Sequence, residues 1–169
     1  MSRRIKALGV AAMLALTAQA DPGGWQLHPA DGAHGVALTL NASSTVSYRF
    51  ECAPGEVIVT ETGVTKLLDL RSGQPIGDGP DAVMPPGAAV MAVFGGKGDP
   101  DFQPAQAAKN PAGGWDLTIR LAKDDKQLKA VGKSEMMSLF TTGETIAVVM
   151  NAADRAAWND FMKRCQGAG

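Results

Sequence analysis

Apolar and polar residues alternate along much of the chain, and this period of two predicts β-strands. The predicted strands are residues 36–40 (VALTL), 44–51 (STVSYRFE), 56–62 (EVIVTET), 64–70 (VTKLLDL), 88–94 (AAVMAVF) and 114–121 (GWDLTIRL). In the second run, Tyr48 and Phe50 share the face predicted to be buried. The fifth run is apolar throughout, which is typical of a strand buried on both faces.

The last third of the chain combines two further strands with two helices. Residues 135–150 indicate a strand pair around Thr142-Gly143. A short helix is predicted near 124–132, where aspartates precede lysines, and a C-terminal helix near 151–165. The predicted fold is therefore mainly β (α+β), an antiparallel β-sandwich or barrel-like sheet with these two helices.

The connection at 95–114 is the longest predicted loop. Its twenty residues include five glycines and three prolines. A loop of this length is usually either functional or disordered. Inside it, residues 104–110 (PAQAAKN) are compatible with one or two helical turns, since Pro104 suits a first turn.

Residues 1–20 have the pattern of a secretory signal peptide. A basic start precedes the apolar stretch ALGVAAMLALTA and the A-x-A motif Ala18-Gln19-Ala20. The alternative is a membrane anchor, but this stretch is shorter than the roughly 20 residues that a spanning helix needs. We therefore expect residues 21–169 to form a single β-rich domain that is exported to the periplasm in soluble form.

Charge and composition limit the classes of partner. The formal net charge is −1, and lysine and arginine are scattered, so no basic footprint for nucleic acid is evident. No second apolar run is long enough to span a membrane, so no span is expected after signal cleavage. The expected partner is another envelope protein or a cell-wall component.

Cys52 and Cys165 are the only two cysteines of the chain. An even cysteine count in an exported protein predicts a disulfide, here between an early strand and the end of the chain. A redox-active pair is disfavoured because the sequence has no C-x-x-C motif.

The glycine-rich stretch FGGKGDPDF at 94–102 is a candidate P-loop, dinucleotide-binding loop or calcium-binding loop. It fails the P-loop pattern, because Lys97 is followed by glycine rather than serine or threonine, and it fails the dinucleotide fingerprint. Asp99 and Asp101 could ligate calcium, but a distal glutamate at EF-hand spacing is missing, and a turn is the alternative. Lys97, Asp99, Asp101 and Phe102 are therefore candidate contact residues of the loop.

A metal site was considered at the two histidines of the chain. His28 and His34 flank Asp31, and two imidazoles with a carboxylate could hold zinc or copper. Proline and glycine make this segment a loop, and no third strong ligand is evident. A solvated loop is the favoured interpretation, and no metal or cofactor is predicted.

The sequence contains no recognisable catalytic constellation. It has no G-x-S-x-G motif, and both cysteines are expected to be oxidised. No catalytic residue is predicted, and the pattern favours a non-catalytic envelope or interaction protein that presents the 95–114 loop. The alternative is a periplasmic hydrolase whose paired carboxylates only the fold brings together.

Two segments of the chain resemble known families. Residues 115–165, with WDLTIRL, DDKQLKAVGK, MMSLF, TIAVVM and AAWNDFMKRC, resemble the end of small exported proteins of the invasion-associated locus B type. That resemblance implies an exported protein with this order of elements. Residues 46–59 (VSYRFECAPGEVIV) are similar to the first strand pair of periplasmic lysozyme inhibitors of the membrane-bound C-type class, which is a minor alternative.

Overall fold

The structure is a computed structural model that describes residues 25–29, 36–41 and 47–167. Within these residues the strands are β1 (Trp25–Pro29), β2 (Val36–Asn41), β3 (Ser47–Ala53), β4 (Glu56–Val64), β5 (Leu67–Leu68), β6 (Pro75–Ile76), β7 (Val90–Phe94), β8 (Gln103–Pro104), β9 (Gln106–Lys109), β10 (Trp115–Ala122), β11 (Met136–Thr141) and β12 (Thr145–Val149). The helices are α1 (Lys126–Val131) and α2 (Ala152–Gly167). The predicted signal peptide at 1–20 lies outside the described residues.

The strands form three antiparallel sheets. The largest has six strands in the order β1-β2-β3-β4-β10-β9, and the second has four in the order β12-β11-β7-β8. The third is the short hairpin of β5 and β6. The two large sheets contribute their inner faces to one hydrophobic core, and they are not closed into a barrel. The mainly β prediction is confirmed.

Alternation explains which face of each strand is buried. In β10, Trp115, Leu117, Ile119 and Leu121 are buried, as predicted, while the residues between them are more exposed. In β3 the buried residue Phe50 pairs with Val59 of β4. Burial of one apolar face on each strand is what fixes this register, because a slip by one residue would turn that face to solvent.

Helix α2 covers the six-stranded sheet at β1 and β2. It begins with a reciprocal cap: Asp154 N donates to Asn151 Oδ1 at 2.9 Å, and Asn151 N donates to Asp154 Oδ2 at 3.0 Å. Trp158 is fully buried edge-on to Phe50, with ring centroids 4.9 Å apart. The predicted C-terminal helix is confirmed.

Cys52 of β3 and Cys165 of α2 lie at disulfide distance, and their Cα atoms are 5.3 Å apart. Their position attaches the last turn of α2 to the sheet that the helix covers. Both cysteines are buried.

Helix α1 confirms the short helix predicted near 124–132. Asp125 is its N-cap, because its carboxylate accepts hydrogen bonds from Gln127 N at 2.7 Å and Leu128 N at 3.2 Å. The helix packs against β7, and its Leu128 carbonyl accepts a 3.0 Å hydrogen bond from Trp158 Nε1. The two helices are therefore joined in the core.

Two local predictions are wrong. Residues 104–110 do not form helical turns but belong largely to β8 and β9, because pairing with β7 and β10 satisfies their backbone groups. The predicted 95–114 loop is thereby divided into 95–102 and 110–114. The strand predicted at 64–70 reduces to β5, because Asp69 opens a turn by accepting hydrogen bonds from Arg71 N and Ser72 Oγ.

Candidate functional site

The loop at 95–102 is fixed to helix α1 by the buried side chain of Gln127. Gln127 Oε1 accepts a 3.0 Å hydrogen bond from Gly95 N, and Gln127 Nε2 donates to the carbonyls of Lys97 at 3.3 Å and Asp99 at 3.1 Å. The first part of the loop is therefore held in a defined conformation against the helix.

Glycine is required at the start of this loop by close packing. A Cβ on Gly95 would lie 2.6 Å from Ala130 Cβ and 2.6 Å from Val131 N. Gly96 has a φ of +81°, which side-chain-bearing residues rarely adopt. These two glycines let the chain leave β7 directly beside α1.

A cleft of about 460 Å³ opens where this loop meets the helix. Among the residues that line it are Lys97, Lys126, Lys129, Lys133, Ser134 and Glu135. Lys97 comes from the loop, and the other three lysines come from α1 and the turn after it. All four lysines are exposed to solvent. We refer to this group as the lysine cleft.

An aromatic cluster lies beside the cleft, on the outer face of the four-stranded sheet. Phe140 of β11 contacts Phe94 of β7 and Phe102 of the loop, with ring centroids 6.0 Å and 6.1 Å apart. Phe102 is 48% exposed, and the other two rings are partly buried. The predicted contact residue Phe102 therefore belongs to a larger aromatic surface.

The aromatic cluster continues into an apolar surface across the sheet. Met136, at the start of β11, is 44% exposed, and its partner Val149 in β12 is 78% exposed. Ala147 of β12 also faces outward and is exposed. We call the side chains of Phe94, Phe102, Met136, Phe140, Ala147 and Val149 the outer apolar face.

A second, larger cleft of about 930 Å³ lies at the other long connection, near residues 110–114. Its one lysine, Lys109, is already engaged: the ammonium lies 3.8 Å from the centre of the Trp115 ring and donates to the carbonyl of Gly79. Trp115 Nε1 in turn donates to Gly77 O at 3.0 Å. These contacts fasten the 77–80 segment to the sheet and leave no free cation in this cleft among the described residues.

A buried acid lies inside the six-stranded sheet. Glu61 is 2% exposed, and its Oε1 accepts a 3.0 Å hydrogen bond from the Tyr48 hydroxyl, while Oε2 has no hydrogen-bond partner among the described residues. Burial raises the pKa of Glu61 to about 7, although the Tyr48 hydrogen bond lowers it and Glu144 adds a smaller increase. Burial and the neighbouring Glu61 also raise the pKa of Tyr48.

Glu61 was missed in the sequence, although a signal was present. Val57, Val59 and Glu61 are alternate residues of β4, so burial of the valines places Glu61 on the same inward face. Glu61 lies within the predicted strand at 56–62, so the alternation that buries Val57 and Val59 also identifies the buried acid.

The other predicted site residues lie either in the exposed loop or outside the described residues. Asp99 and Asp101 are exposed, and Asp99 uses its backbone carbonyl, not its carboxylate, in the contact with Gln127. Asp31 and His34 lie outside the described residues, as does the side chain of His28. In the part of the chain that the structure describes, no group of three His, Cys, Asp or Glu side chains could hold a metal ion.

Comparison of the chain with protein-family models, with curated proteins and with solved structures found no match. Among the described residues, no helix has the length and the apolar character required to cross a bilayer.

Proposed function

We propose that the protein is an exported, non-catalytic interaction protein that binds another envelope protein through the outer apolar face. The observation that carries this proposal is the exposure of large apolar side chains on one side of one sheet, with Phe102, Met136 and Val149 between 44% and 78% exposed. Contiguous apolar surface of this kind marks interaction sites in folded proteins.

The outer face of the six-stranded sheet provides an internal comparison. There most of the outward side chains of β3, β4 and β10 are polar, and several are paired: Arg49 lies 3.0 Å from Glu51, Arg120 contacts Glu56, and the hydroxyls of Thr60 and Thr118 are 3.2 Å apart. A sheet with one solvated face normally carries polar residues there. The four-stranded sheet of the same chain departs from that rule.

Edge strand β12 supports the same surface. Its five residues, TIAVV, include no charged residue and no proline, although such residues normally protect an exposed strand edge. Ile146 and Val148 pack partly against the core, and Thr145, Ala147 and Val149 are exposed. A strand of a partner could pair with β12 and extend the apolar face.

Export is supported by two features. Residues 1–20 have the signal-peptide pattern, and Cys52 and Cys165 lie at disulfide distance, which suits an oxidising compartment such as the periplasm. The resemblances to invasion-associated locus B proteins and to lysozyme inhibitors stay predictions.

The hydrolase alternative would have to use Glu61. Its raised pKa suits a general acid, but Glu61 lines neither of the two clefts described above. Among the described residues it is the one buried carboxylate, and Glu144, which is close enough to raise its pKa, is half-buried and lines neither cleft. The geometry therefore favours binding over hydrolysis.

Site-specific photo-crosslinking tests the proposal. A photoreactive amino acid is placed at Phe102, Met136 or Val149 in cells that export the protein. The matched controls are Leu70 and Val83, which are 65% and 81% exposed and lie between β5 and β7. We expect the three face positions to give adducts with one and the same protein, and the controls to give none.

Three results would contradict the proposal. The first is the absence of adducts from the three face positions, and the second is equal adducts from the two control positions. The third is an adduct that contains two copies of this chain, because it would show that the face binds a second copy and not a different protein. Once the partner is identified, Phe102→Ala should weaken the complex about fivefold or more, because truncation of a central aromatic contact costs over about 1 kcal/mol. Val83→Ala should leave the affinity unchanged.

A further inference from the structure

We propose that the lysine cleft is a binding site for a compact ligand that carries two or more phosphate groups. This inference does not depend on the proposed function, since it concerns a different surface. It rests on the charge of the cleft, on the way the cleft is built and on its size.

The four lysines carry charge that the protein does not neutralise. Arg49, Lys66, Arg120 and Arg164 form ion pairs, whereas none of the four cleft lysines does so among the described residues. One carboxylate, Glu135, lines the cleft. Four positive charges thus meet one negative charge in a chain whose formal net charge is −1.

The cleft lysines repel one another when no ligand is bound. Lys126 and Lys129 are three residues apart in α1 and lie on the same side of the helix, and Lys133 follows in the turn after it. Like charges at three-residue spacing on a helix repel each other. Lys97, brought by the loop, adds a further like charge, and an anionic ligand would relieve this repulsion.

The cleft is also preorganised. Gln127 is 3% exposed and holds the backbone at Gly95, Lys97 and Asp99 through three hydrogen bonds. Gly95 allows the loop to contact α1 at a distance that no Cβ would tolerate. The position of Lys97 relative to the helix is therefore set before any ligand arrives, which reduces the entropic cost of binding.

Size and charge indicate the class of ligand. The cleft volume of about 460 Å³ lies within the range of small-molecule sites. Lysine ammonium groups bind phosphate as point charges, without the planar geometry that arginine prefers for carboxylates. Because Glu135 repels anions, several lysines must be engaged together, which favours linked phosphates over a single monoanion.

Calorimetric titration of the purified, oxidised protein with tripolyphosphate tests the site. We expect one binding event that weakens as salt is raised, since the contacts are exposed and screened. The double variant K97Q/K129Q should bind about tenfold more weakly or worse, while the charge-matched control K66Q/R71Q should bind within about twofold of the parent. Urea unfolding of K97Q/K129Q should show unchanged or increased stability, because like-charge repulsion is removed.

Two results would overturn the proposal: no binding of tripolyphosphate at low salt, or equal weakening in the cleft variant and the control. A second arm distinguishes the source of the phosphates. If the protein sediments with vesicles that contain cardiolipin and not with phosphatidylcholine vesicles, and if K97Q/K129Q loses this sedimentation, the ligand is a lipid headgroup. Binding of tripolyphosphate without sedimentation would assign a soluble phosphorylated ligand, and either outcome supports the site.

Discussion

Replacing Glu61 with glutamine should remove a strong dependence of stability on pH. Glu61 is buried in the six-stranded sheet, and burial raises its pKa from the ordinary 4.5 to about 7. The folded protein thus holds the neutral acid at pH values where the unfolded chain holds the carboxylate. Glutamine has nearly the same shape as the neutral acid and does not ionise.

The sign follows from proton binding. Below pH 4.5, Glu61 is protonated in both states and makes no pH-dependent contribution. As pH rises from there, the unfolded chain releases the proton first, and the free energy of unfolding falls until pH passes about 7. With about 1.36 kcal/mol per pKa unit, the total loss is about 3 kcal/mol.

Urea unfolding of the oxidised protein at about pH 5 and about pH 8 measures this effect. Glu61→Gln should be much the more stable protein at the higher pH, by up to about 3 kcal/mol, and the difference should shrink towards the lower pH. Glu51→Gln, on the outward side of β3, is the control, and its free energy of unfolding should match that of the parent at both pH values. Tyr48→Phe should extend the loss to higher pH, because the Tyr48 hydrogen bond lowers the pKa of Glu61.

The reasoning would be refuted if the parent and Glu61→Gln lost stability in parallel between these two pH values. A Glu61→Gln variant less stable than the parent at the higher pH would also refute it. The second outcome would mean that the buried carboxylate has partners that compensate its burial.

Two further predictions concern how the chain is tied together. Replacing both Cys52 and Cys165 with serine should lower the free energy of unfolding by roughly 4 kcal/mol, because the bridge closes a loop of 113 residues. An unchanged urea midpoint would contradict a bonded pair. Gly95→Ala should lower the free energy of unfolding by about 1–3 kcal/mol, because the new Cβ would overlap Ala130. Gly79→Ala is the control and should be neutral, because its Cβ would meet nothing within 4 Å. Similar urea midpoints for the two variants would refute the close packing at Gly95.

The strands were predictable where burial alone defines them. Alternation in β3, β4 and β10 reflects one buried face, so the pattern is local and can be read from the sequence. The same property identifies Trp158 and Phe161 as the buried face of α2. Such strands and helices can be recognised from the sequence because their buried residues recur with the period of the strand or helix itself.

The 95–114 region was harder because its structure depends on distant partners. β8 and β9 are short and contain proline and alanine, and their pairing with β7 and β10 is set by residues outside the segment. Propensity is weak in such strands, and tertiary pairing decides.

The lysine cleft could not be predicted for a related reason. Lys97 is about 30 residues from the three other lysines in sequence, and the contact that joins them is made by Gln127 and Gly95. A glutamine in a lysine-rich helix gives no sign that it is the buried contact. The loop motif at 94–102 matches neither phosphate-binding pattern, although the fold places three further lysines beside its first residues.

The apolar run at 88–94 connects the sequence to the proposed binding surface. Its composition is typical of a strand covered on both faces. In the structure, Met91 and Val93 face the core, while the other side holds buried Ala92 and half-buried Phe94, whose ring contacts Phe140. One face of β7 is thus covered by the core, and the second is covered only in part within the described residues. Since a fully apolar strand is otherwise costly on a solvated face, the protein partner that we propose for this side would account for the sequence of β7.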